Sequence, residues 1–232
     1  MSHGPDVVFL PGFMLDGSLW DDMQPYLPAD RIVHRGRLEG STIEAMAANV
    51  LAEAPDTFIL VGFSLGGFVA RQVAGMAPDR VRGLALVASS ARDDAPERLE
   101  AKRVALRSLN STTFNGLGIR SIAPSVHPSR AQDMPLLQRL RAMSVSLGYE
   151  AFVHQSLLDR SHIPTQFACP TLVVAASDDA LRSMEEAEEL RGLIAGSEFA
   201  VVEETGHMIP MEKPRELAEL LAGWVATRVG DA

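Results

Sequence analysis

The chain has 232 residues, 47% of them apolar, enough to bury one sizeable core with room for an inserted subdomain. Its formal charge of −9 is spread without long single-sign runs, which argues against a nucleic-acid backbone or an anionic membrane surface as partner. The single cysteine, Cys169, excludes an internal disulfide, the start MSHGPDVVFLPG lacks the basic head and long apolar run of a signal peptide, and no apolar stretch nears the roughly 20 residues that span a bilayer, so a cytoplasmic protein is expected.

Short runs rich in Val, Ile, Leu and Phe recur between longer stretches with helical spacing, which is how strands buried on both faces of a parallel sheet read; the expected class is α/β. In chain order the strands are expected at 6–10, 31–35, 57–62, 81–88, 171–176 and 198–203. Ser41 and Glu44 form a capping-box pattern before a helix. Pro214 opens the last helix, in which Leu217, Leu220, Leu221 and Trp224 make one apolar face for packing on the sheet. From about 91 to 168 the strand rhythm stops, and Leu136, Leu140, Met143 and Leu147 recur at spacings of four, three and four. This reads as a helical insert in a core made of 1–90 and 169–232. Leaving from the carboxyl edge of the fourth strand, it would lie as a cap over the place where parallel sheets bind ligands. Arg98, Lys102, Arg103 and Arg107 on the insert read as a solvated helix face.

The stretch VGFSLGGFVA (61–70) places one serine, Ser64, between Gly62 and Gly66, with a buried-looking strand before it and a helix after it. This is the context of a nucleophile elbow: the turn is tight enough to strain the serine backbone, so its neighbours two residues away must be small. Gly67 then lets the helix approach the sheet. The hydroxyl stands at the head of a helix, where the positive dipole end favours developing negative charge.

At this point the chain resembles the α/β-hydrolase superfamily, through FLPGFMLDGSLW, GFSLGGFVA, PTLVVAASDDAL and GHMIPMEKP in that order. Within it the sequence is most similar to small bacterial hydrolases with a helical cap. Relatives usually begin with an antiparallel pair of strands, but this chain starts directly at VVFLPG; the sheet should therefore have six parallel strands, with 31–35 as an arginine-guarded edge.

A serine hydroxyl needs a base to take its proton and a third group to orient that base. His207 follows the last strand, where a base can reach across the sheet edge, and the family also places its histidine there. His3, His34, His127, His154 and His162 read as surface or packing residues. Asp178 and Asp179 both follow the fifth strand; the resemblance selects Asp179 as the acid and leaves Asp178 for a turn or cap. Asp93 and Asp94 are a more distant choice, and Glu203 and Glu204 read as closing the last strand. The backbone amide of Leu65, next to the nucleophile, and by resemblance that of Phe13 would receive the oxyanion; many relatives carry His-Gly where this chain has Pro11-Gly12. Met14 and Met208 would line an apolar pocket mouth, Trp20 would pack, and Cys169 would be a small buried residue entering a strand.

No glycine-rich phosphate loop, H-E-x-x-H or cysteine pair is present, so no cofactor or metal is expected. The leading expectation is a carboxylesterase-like serine hydrolase acting on a small ester or lactone. The same constellation serves carbon-carbon bond hydrolases, thioesterases and cofactor-free perhydrolases, and a ligand-binding protein with little turnover is a rival from another class. A carboxylate nucleophile, as used in haloalkane chemistry, is disfavoured by Ser64.

Overall fold

The structure, a computed structural model, describes residues 4–29, 31–94 and 96–230. Six strands form one sheet in the order β2-β1-β3-β4-β5-β6, every pair parallel. They are β1 (Asp6–Leu10), β2 (Val33–Arg35), β3 (Phe58–Phe63), β4 (Val81–Val87), β5 (Thr171–Ala176) and β6 (Glu198–Val202). The strand after β1 is laid on one side of it and the next on the other. The crevice between β1 and β3 is therefore the switch point at which such sheets bind ligands.

The expected strands are all present: β1 and β5 have the expected bounds, β3 is shifted by one residue, and β2, β4 and β6 are shorter by one or two. β2 is an edge, as expected. It starts at Val33, so of its two arginines only Arg35 is in the strand, and that guanidinium folds back onto Asp21.

All six residues of β3 and of β5 are buried, because helices cover both faces of the sheet. Val8, Leu10, Phe58 and Leu60 face one layer, made by α1 (Ile43–Glu53), α2 (Leu65–Met76) and α6 (Met184–Leu193). Phe9, Ile59, Val61 and Phe63 face the other, where Trp20 and α8 (Pro214–Trp224) pack. Trp20 lies 4.6 Å from Phe9 between ring centroids, as its packing role requires. Burial of each such side chain contributes about 1.5–3 kcal/mol, which is what holds the two helix layers on the sheet.

The first helix departs from the expected cap. Ile43 is buried and belongs to the helix, so Thr42 becomes the N-cap, and its Oγ1 accepts from the Ala45 amide at 3.1 Å. Glu44 then falls one residue too early to close a capping box with Thr42, and serves the first turn as a charge against the helix dipole. Thr42→Ala should cost about 1 kcal/mol of stability, read as a lower urea midpoint at unchanged slope, whereas Ser41→Ala should not shift the midpoint. A larger shift for Ser41→Ala would restore the original cap.

Between β4 and β5 the chain is helical, as the spacing predicts: α3 (Pro96–Ser108), the short α4 (Ile119–Ile122) and the long α5 (Met134–Ser156). Leu136, Leu140 and Met143 are buried and belong to the same cluster as Phe9 and Trp20. Leu147 is only partly buried, because α5 kinks at the next residue, Gly148, whose φ is 77°. A glycine takes that conformation without a Cβ clash. Among the described residues no helix is long and apolar enough to cross a membrane.

Candidate active site

Because all six strands run the same way, the loops leaving β1, β3, β5 and β6 gather at one sheet edge. Leu10 pairs with Gly62, and Ala176 with Val202, so the loop starts are level. These loops carry Phe13, Ser64, Asp179 and His207 respectively.

Ser64 joins β3 to α2 with φ 50° and ψ −111°, a conformation that costs a non-glycine residue about 1–3 kcal/mol. Its N–H donates to the Val87 carbonyl at 2.9 Å, and its own carbonyl accepts from Ser89 Oγ at 2.9 Å and from the Gly67 amide at 3.0 Å. The glycines are required by contact: a Cβ on Gly62 would stand 2.4 Å from the Gly66 oxygen, and one on Gly66 would stand 2.4 Å from the Pro11 oxygen. A Cβ on Gly67 would meet Ser89 Oγ at 2.3 Å. The Gly66 contact also brings the turn that holds Leu65 against the loop that holds Phe13.

Three side chains distant in sequence form one hydrogen-bonded line. His207 Nε2 lies 2.9 Å from Ser64 Oγ, and His207 Nδ1 lies 2.6 Å from Asp179 Oδ2. The other Asp179 oxygen accepts from the amides of Leu181 and Arg182, both at 2.8 Å. Asp179 is thus an acceptor on both oxygens and its side chain is 2% exposed. Asp178 points elsewhere: its side chain is 43% exposed, is bonded to the Ser177 hydroxyl, and lies 3.9 Å from His127. The Phe63 ring packs 5.0 Å from the imidazole, and Ser64 keeps 8% exposure.

Other residues singled out from the sequence fall into place around this line. Met14, with φ 55°, is fully buried, and its amide donates to Gln155 Oε1 at 2.8 Å; Met208 is buried, and its amide donates to the Ser125 carbonyl. His34 pairs with Asp6, His127 with Ser129, and His162 is exposed; His3 lies outside the described residues. Cys169 is partly buried, and burial raises its thiol pKa, the opposite of an activated thiolate.

One reading needs correction, that of Lys102. Asp94 is buried, and burial alone would raise its pKa, but Arg160, Lys102 and Arg182 outweigh that and lower it. Lys102 is accordingly not part of a solvated helix face, since its side chain turns inward to Asp94; Arg103 and Arg107 do face solvent and meet Glu100. The side chain of Arg98 lies outside the described residues.

Three supporting side chains carry little local signature. Ser89 is marked only by following β4 opposite Gly67. Gln155 is 141 residues from the amide it accepts. Glu212, in α7 (Ile209–Glu212), accepts from the Gly206 amide at 3.1 Å and from Thr205 Oγ1 at 3.4 Å with one oxygen, and from the His127 amide at 2.8 Å with the other. It therefore ties the loop that holds His207 to the insert.

A cleft of about 670 Å³ opens beside the Phe13 loop, between residues 35–40 and α5, with Pro11, Leu15, Leu147, His154 and Gln155 in its walls. Another, of about 370 Å³, lies between the sheet and α8 near Val7, Ile59 and Trp224, away from Ser64.

Fold, elbow and hydrogen-bonded line together define an α/β hydrolase. The chain belongs to the α/β hydrolase family, whose pattern matches residues 7–220. Over 103 residues it is 42% identical to a pimeloyl-(acyl-carrier protein) methyl ester esterase of Klebsiella pneumoniae subsp. pneumoniae, covering 39% of this chain and 40% of that one. Over 242 residues it is 24% identical to the biotin biosynthesis bifunctional protein BioHC of Cellvibrio japonicus, covering 96% of this chain and 48% of the other. The chain thus spans less than half the length of these curated relatives. A thermophilic esterase from Thermogutta terrifontis, solved with malate bound, superposes with a TM-score of 0.83 at 27% identity, over 98% of this chain and 91% of that one. The enol-lactonase of Burkholderia xenovorans LB400 superposes with a TM-score of 0.79 at 18% identity, over 96% and 91%, a likeness of fold.

Proposed function

We propose that the protein is a serine hydrolase that cleaves a small ester or lactone through an acyl-enzyme. The observation that carries this reading is the imidazole of His207 in hydrogen-bond contact with Ser64 Oγ on one nitrogen and Asp179 Oδ2 on the other. Ser64 Oγ attacks the carbonyl carbon while His207 Nε2 takes its proton; Asp179 holds the Nδ1 proton and stabilises the imidazolium without being protonated itself. The amides of Phe13 and Leu65 receive the oxyanion, each worth about 3 kcal/mol to the transition state. The tetrahedral intermediate then collapses, the carbon–oxygen bond breaks, and the imidazolium protonates the departing alkoxide. Water, deprotonated by the same nitrogen, attacks the acyl group and returns Ser64.

Residues 91–168 serve as the cap in this reading. Gln155 from the insert holds the Met14 amide, so the loop bearing Phe13 is fixed in part by the insert. The esterase names of the relatives favour an oxygen ester as the bond cleaved.

A fluorophosphonate tests the reading directly, because only an activated hydroxyl displaces its fluoride. Mass spectrometry of tryptic peptides should find the label on Ser64 in the wild type and none in His207→Ala. Labelling elsewhere, or undiminished labelling in His207→Ala, would remove the proposed base.

A further inference from the structure

Beside this line lies a second set of charged groups that ester cleavage as written does not use. Among the described residues Asp94, in the loop after β4, meets Lys102 from α3, Arg160 at 3.0 Å and Arg182 at 4.0 Å. Arg71 joins them about a single ring, since the guanidinium carbons of Arg71, Arg160 and Arg182 stand 5.0, 5.3 and 5.9 Å from the Phe68 centroid. Arg182 also meets Glu186 at 3.2 Å. Four cations therefore gather in the interior one turn of helix beyond Ser64. Burial lowers the Arg71 pKa to about 10, and lowers that of Lys102 together with the charge of Arg160, although contact with Asp94 acts the other way. A further anion beside this ammonium would offset part of the burial and of the repulsion from Arg160.

The position of Lys102 says which anion can come. Its Nζ lies 5.4 Å from the centroid of the Phe13 ring, and Phe13 is the residue whose amide faces the scissile carbonyl in the proposed reaction. From Phe13 an aromatic row runs into the insert: Phe152 at 6.2 Å, Phe114 stacked on Phe152 at 5.0 Å, and Tyr149 at 6.0 Å from Phe114. An acyl chain laid along this row would run beside apolar rings, with the ammonium near the Phe13 end. Of Lys102, Arg160 and Arg182, Lys102 is the most open, with 18% of its side chain exposed against 9% for Arg182 and 5% for Arg160.

We propose that Lys102 determines specificity by favouring esters whose acyl chain ends in a carboxylate a few carbons from the scissile carbonyl. The ammonium shares itself between Asp94 and the substrate carboxylate, while Arg160 and Arg182 keep Asp94 in place. This rests on the ester-hydrolase reading above.

The experiment compares kcat/KM for methyl hydrogen glutarate with that for methyl 5-methylhexanoate, its uncharged isostere, in wild type, Lys102→Met, Lys102→Arg and Ser64→Ala. The wild-type ratio should favour the charged ester by about tenfold or more, the range of one charge-assisted contact. Lys102→Met should lower that ratio by about tenfold, mainly through a higher KM for the charged ester, and Lys102→Arg should recover most of it. A purely structural lysine would lower both rates and leave their ratio in place, which overturns the proposal. So does a wild-type ratio of one or below, a result that stands even if Lys102→Met fails to fold. Ser64-dependent turnover with such a ratio defeats the specificity alone; turnover no greater in wild type than in Ser64→Ala defeats the ester-hydrolase reading with it.

Discussion

Ser64→Ala should lower kcat/KM for p-nitrophenyl butyrate by about ten-thousand-fold or more, equivalent to about 5.5 kcal/mol of transition-state stabilisation. Alanine fits the elbow, since it removes one buried oxygen and leaves the backbone hydrogen bonds of residue 64 to Val87, Ser89 and Gly67 intact. The folded state should therefore survive, and a circular dichroism melt near that of the wild type separates lost chemistry from lost structure. His207→Ala should fall by a comparable factor, and the double variant little further, because a nucleophile and its base act as a unit. Retention by Ser64→Ala of more than about a tenth of the wild-type rate would rule out this hydroxyl as the nucleophile.

The neighbouring aspartates should separate as sharply. Asp179→Asn should lower kcat by about ten-thousand-fold. Both oxygens of this carboxylate accept, one from His207 Nδ1 and the other from two backbone amides. An amide side chain must present a donor to one of these donors, so the imidazole loses the tautomer that leaves Nε2 free to take the Ser64 proton. Asp178→Asn should stay within about threefold of wild type, since its half-exposed carboxylate bonds to Ser177. Steady-state kinetics of the two variants on one ester decide the matter, and a greater loss at Asp178 would reassign the acid.

What the sequence made legible follows from how far each determinant reaches along the chain. The strands were readable because parallel strands covered on both faces need unbroken apolar runs, and FILVGF and TLVVAA carry them in adjacent residues. Only their ends moved. The elbow was readable for the same reason: Gly62, Ser64, Gly66 and Gly67 are all needed within one turn. The insert was legible as helix from Leu136, Leu140 and Met143, but its bend was not, because a lone glycine at 148 also fits a straight helix at modest cost. The Ser41 cap failed on one residue, since the pattern could not tell that Ile43 would be pulled into the helix by burial. Lys102 was misread for a deeper reason. Its partner, Asp94, is eight residues away and two residues before the helix begins, and nothing local announces that this carboxylate turns inward. Gln155 and Glu212 matter through contacts made across the fold, for which no periodicity exists.

Glu212 has a mechanical consequence. Its carboxylate grips the amide of Gly206 on one side and that of His127, in the segment between β4 and β5, on the other. Lifting residues 126–127 must either rupture a charge-assisted bond, at about 1.5–3 kcal/mol, or drag the imidazole-bearing segment along. Gly206 permits this close approach, because a Cβ there would lie 2.4 Å from the His127 nitrogen. The segment at 126–127 and the loop that bears His207 are thus coupled through one carboxylate, so a displacement of either would strain the other.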